Sequence, residues 1–137
     1  MFRDIPHYYG DSVRILFVVM AALLLLALPF YPDVLPFTPA VQTAGALLLI
    51  VCAALTNPHA RWVMLTNAVC SMIGVVIAEA VAIDAYQQGD WTLLLIREVL
   101  AIAFLFAGYL SIKTVRAMAT GHIGAEESGR AEEFNEE

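Results

Sequence analysis

A chain of 137 residues that is 61% hydrophobic and 15% charged is far more apolar than an ordinary soluble domain, where roughly 45–50% and 25% are usual. Its net charge of −6 comes largely from six glutamates against one arginine in residues 121–137, so the remainder is close to neutral. With no basic patch anywhere, nucleic acid is excluded as an expected partner.

The charges are segregated. None falls in residues 15–32, 34–59, 62–78 or 99–112. A soluble domain this small cannot cover four such runs, whereas each approaches the ~20 residues of a membrane-spanning helix. The predicted fold is an all-α membrane protein, a bundle of four transmembrane helices. They run over about 12–30, 38–55, 59–83 and 91–115 in one domain of residues 1–116. The glutamate-rich residues 117–137 are expected to form a disordered acidic tail.

In chain order, residues 1–14 are polar and aromatic, with Phe2, Tyr8 and Tyr9 suited to the headgroup layer. Asp4 and Asp11 and the lack of a small-residue cleavage site favour a retained first helix over a signal peptide. Pro29 and Pro32 end that helix. Thr38 or the residues before it can cap the second, with Pro39 in its first turn. Asn57 and Pro58 open the third after a connection so short that helices two and three must be antiparallel neighbours. His59, in that connection, is expected to be solvated.

Helix three is the most polar, carrying Thr66, Asn67, Ser71 and Glu79. Asn67 and Ser71 are candidates for polar contacts inside the bundle or facing the membrane. Cys70, Gly74, Ala78 and Ala82 form a row of small residues at four-residue spacing, and Ala103, Ala107 and Ser111 form another on helix four. Such rows let backbones approach closely. They predict packing of helices three and four on each other, or a surface for a second copy or another membrane protein. Cys52 and Cys70 make no metal or redox spacing, so inert thiols are expected, with no cofactor and no metal.

Arg3, Arg14, Arg61, Lys113, Arg116 and Arg130 lie before helix one, between two and three, or after four, while the other two connections hold only Asp33, Asp84 and Asp90. By the positive-inside rule both termini are cytoplasmic. The expected location is the plasma (inner) membrane.

Only Glu79, Arg97 and Glu98 place charge within the spans. Each costs about 2.5–3.5 kcal/mol at a helix centre on insertion scales. Glu79 precedes Asp84 by five residues and Arg97 follows Trp91 by six, which places both roughly 7–9 Å below the outer hydrocarbon boundary. An intramembrane ion pair between them is therefore expected. Glu98, about 100° away from Arg97 around the helix, must face elsewhere.

Two functional classes follow. The first is an association or accessory module of a membrane assembly. The second is a small proton- or cation-coupled transporter or channel using Glu79, Arg97 and Glu98. No nucleophile–base pair or metalloprotease motif is present, so catalysis is not expected.

Overall fold

The computed structural model describes residues 8–57 and 59–121. Those residues form four helices and no strand: α1 Gly10–Ala27, α2 Pro39–Leu55, α3 Arg61–Gln88 and α4 Trp91–Ala119. Windows of α1, α3 and α4 have mean hydropathies of 2.1, 2.0 and 2.1, and these three helices are long and apolar enough to cross a membrane. With 17 residues, α2 reaches only about 26 Å, short of the ~30 Å of a hydrocarbon core.

The boundaries have local causes. Helix α1 stops at Ala27, before the expected residue 30. Pro29 has no N–H for the ladder, and the chain tightens into a turn in which Phe30 and Tyr31 both donate to the Ala27 carbonyl, at 3.0 and 2.7 Å. Helix α2 begins with Pro39 in its first turn, as expected. Helix α3 starts at Arg61 rather than 59. Asn57 does not cap it but accepts from His59 N at 3.0 Å, and no side chain caps its start.

At its far end α3 runs five residues past the expected 83. The polar stretch from Asp84 is helical because Ala85 continues the buried face of Ala78 and Ala82. Gln88 Nε2 also donates to Asp84 Oδ2 one turn back, at 2.7 Å. Gly89, at φ 73°, ends the helix in the left-handed conformation that glycine adopts without strain. Asp90 then caps α4 by accepting from Leu93 N at 3.1 Å. The α3–α4 connection is thus two residues long. Helix α4 continues to Ala119, past the expected domain boundary at 116. Residues 122–137, which hold most of the predicted tail, lie outside the described residues, as do residues 1–7.

The helices form two hairpins, α1–α2 and α3–α4, the second packed more extensively than the first. The hairpins meet mainly through α1 and α4, and α2 touches α3 little. The core between them holds Val13, Phe17, Met20 and Leu24 of α1, Ala46 and Leu49 of α2, Ala78 of α3, and Leu100 and Phe104 of α4. Outside it every helix presents large apolar side chains, such as Ile15, Leu48, Val76 and Leu105. That surface suits lipid and not water.

The small-residue rows lie inside the α3–α4 hairpin. Ala78, Ala82, Ala107 and Ser111 are buried. A β-carbon on Gly74 would come 2.6 Å from the Phe104 ring, and one on Gly108 would come 3.3 Å from Ser71 Cβ. Close packing of α3 on α4 covers most of these surfaces. Of the six residues named above for a second subunit's face, Ala78, Ala107 and Ser111 are buried, while Cys70, Gly74 and Ala103 are half-buried.

Candidate functional site

At the end of the bundle where Asp33, Asp84 and Asp90 lie, the α1–α2 connection folds over the start of α4. This connection carries Pro29, Pro32 and Pro36. Each proline keeps its carbonyl but lacks an N–H, so the segment has more acceptors than its own donors can satisfy. At the edge of an apolar bundle those acceptors need donors from protein.

Arg97 supplies two of them and reaches a third carbonyl, on α3. Only 5% exposed, its guanidinium donates from Nε to the Val34 carbonyl at 2.8 Å, from Nη2 to the Asp33 carbonyl at 2.7 Å, and from Nη1 to the Val81 carbonyl of α3. Gln42, 2% exposed one turn into α2, supplies the rest. Its Nε2 donates to the carbonyls of Pro32 and Phe37, the latter at 2.8 Å, with a longer 3.4 Å contact to Leu35. Five carbonyls of one short connection therefore converge on two side chains. The carboxylates of Asp84, Asp90 and Asp33 are near enough to act on the Arg97 charge. Beside it opens a pocket of about 550 Å³, walled by Asp33, Leu35, Phe37, Pro39, Val81 and Asp84.

The expected Glu79–Arg97 ion pair is not formed. Among the described residues the one ion pair joins Arg14 to Asp11, at 4.0 Å. Two causes separate Glu79 from Arg97. Because α3 persists to Gln88, the hairpin is centred on Gly89 and Asp90, and Arg97 is level with Ala82 rather than Glu79. Glu79 lies three residues farther in, about 4.5 Å. It is also about 100° around α3 from the buried Ala78, and it is exposed on the outside of the bundle. Glu98 stands in the same relation to buried Arg97 and is half-buried.

Asn67 and Ser71 are both buried inside the bundle, not on its outer surface. Asn67 Nδ2 donates to Thr56 Oγ1 at 2.9 Å, and Thr56 Oγ1 donates to the Cys52 carbonyl at 2.8 Å. Asn67 Oδ1, Ser71 Oγ and Ser111 Oγ have no hydrogen-bond partner among the described residues. Nearby, Arg14 donates from Nε to the Ala53 carbonyl at 3.0 Å and from Nη2 to the Thr56 carbonyl at 2.6 Å. It thereby caps the last carbonyls of α2.

The sequence reading passed over Gln42 and took Arg14 only as a topology signal. One signal was available for Gln42. It is the one amide or charged side chain in residues 34–56, and it lies one turn after a donor-poor connection. Among the described residues no group of three or more His, Cys, Asp or Glu side chains could hold a metal ion.

No protein-family model, curated protein or solved structure matches this chain. Its function is read from its own geometry.

Proposed function

We propose that the chain is a four-span protein of the plasma (inner) membrane, with both termini in the cytoplasm, acting as an association or accessory module of a membrane assembly. In this reading the acidic end, with Asp33, Asp84 and Asp90, faces outward, and α2 completes its span with help from the capped connection before it. The observation that carries the reading is the position of the two membrane-level carboxylates. Glu79 is exposed and Glu98 half-exposed, on helices whose surroundings are apolar. A charge in that position favours a protein neighbour over hydrocarbon. Arg97, the third charge, is taken up by backbone carbonyls.

Native sizing after extraction in a mild detergent tests this. The expected particle is larger than one chain in its detergent belt, and a monomer at every detergent concentration would overturn the reading. Impermeant thiol labelling of Gln88→Cys in intact cells tests the topology, with outside labelling expected.

The second reading, a small proton- or cation-coupled transporter using Glu79, Arg97 and Glu98, draws on the pocket beside Arg97 and the buried oxygens of Asn67, Ser71 and Ser111. It needs the three charges on one route, and Arg97 is buried on backbone carbonyls away from both carboxylates. Cation or proton flux in liposomes that Glu79→Gln or Glu98→Gln abolishes would favour it over association.

A further inference from the structure

Resting on the association reading, we infer that the outward face of the α3–α4 hairpin docks a transmembrane helix of a different protein carrying a lysine or arginine in its outer third. That cation would sit between Glu79 and Glu98.

The argument starts from helical phase. Glu79 follows buried Ala78 by one residue, and Glu98 follows buried Arg97 by one. In two antiparallel helices packed through those buried positions, the same one-residue step turns both carboxylates to the same side of the hairpin. Ring contact supports the phase. Tyr86 is seven residues after Glu79 and Trp91 seven before Glu98, so each lies on the same row as its glutamate, two turns along. The two rings meet edge to face with centroids 6.0 Å apart. The rows therefore adjoin. In the register fixed by Gly89 and Asp90, Glu98 is level with Val81, so the carboxylates differ in depth by two residues, about 3 Å. One ammonium or guanidinium placed between the rows can reach both.

The rest of this face is apolar and open, with Val76 67%, Ile83 59%, Leu95 66% and Ile102 51% exposed. Its chemistry specifies the occupant. Glutamate has too short a stem to carry its charge far toward the headgroups, unlike lysine or arginine. No cation of this chain forms an ion pair with either carboxylate among the described residues. A second copy cannot supply one at this depth. Its Arg97 is buried on carbonyls, and its own Glu79 and Glu98 would add like charge. The face thus complements a foreign basic helix.

The test uses the full-length protein in proteoliposomes with a designed single-span Leu/Ala peptide bearing one lysine in its outer third. Association is read by energy transfer between labels at the cytoplasmic ends. The expected result is binding that weakens about tenfold when the lysine becomes leucine, and about tenfold in E79Q/E98Q, the scale of one interhelical polar contact. Equal binding of the lysine and leucine peptides, or unchanged binding by E79Q/E98Q, would overturn the proposal. So would dependence on an amine lipid headgroup in place of the peptide lysine, or efficient homodimer cross-linking through Ile83→Cys. Native sizing separates this failure from that of the association reading. A large particle that persists in E79Q/E98Q removes this face and keeps the module. A wild-type monomer removes both.

Discussion

The two ends of α2 are held by the same chemistry in different surroundings. In the connection before its start, Arg97 reaches from α4 to the Asp33 and Val34 carbonyls, and to Val81 of α3, while almost wholly buried. At its finish, Arg14 reaches from α1 to two carbonyls, with its side chain 42% exposed beside Asp11. Water can replace the donors at the second place and cannot at the first. A buried acceptor left without a donor costs its full desolvation penalty, whereas an exposed one loses only the small net gain of a hydrogen bond. Equal geometry therefore implies unequal dependence. The shortest helix is tied by a strong clamp at the acidic end and a weak one at the basic end.

The largest effect expected is from Arg97→Leu. Stripping three carbonyls of their donor should lower unfolding stability by on the order of 3–5 kcal/mol, measured by thermal or denaturant unfolding in detergent. Arg97→Lys should recover only part of it, because an ammonium cannot present the planar fork that spans three acceptors. A lysine variant as stable as wild type would break the comparison. Gln42→Leu comes next, at about 1–3 kcal/mol, since it bares the Pro32 and Phe37 carbonyls of the same connection.

Arg14→Leu should cost about 1 kcal/mol or less. A loss equal to that of Arg97→Leu would show that the basic end is as dry as the acidic end. The smallest effect is a coupling. The double mutant Glu79→Leu/Arg97→Leu should lose the sum of the single losses within about 0.5 kcal/mol. A larger interaction energy would restore an ion pair that the geometry lacks.

Much of the fold was legible before any coordinates. Charge-free runs mark the four helices, prolines mark the first connection, and Asp90 marks the start of α4. The stretch over residues 84–88 was misread because its polarity looked like a loop. Ala85 kept the buried phase, and Asp84 and Gln88 were one helical turn apart. That five-residue error moved the centre of the hairpin and produced the false pairing of Glu79 with Arg97. Arg97 lies about two turns into α4 from the α3–α4 connection. Its acceptors were not legible, because they are backbone carbonyls and carry no side-chain signature. The proline-rich, donor-poor first connection was the trace they left.

That clamp has a consequence in time. Arg97 and the Val34 carbonyl are separated by 63 positions along the chain. At synthesis rates of about 5–20 residues per second, the first connection emerges roughly 3–13 s before its donor exists. Through that interval its carbonyls must be served by water or by insertion machinery. The α1–α2 hairpin is thus unfinished when it forms, and α4 is the element whose arrival dries its acidic end.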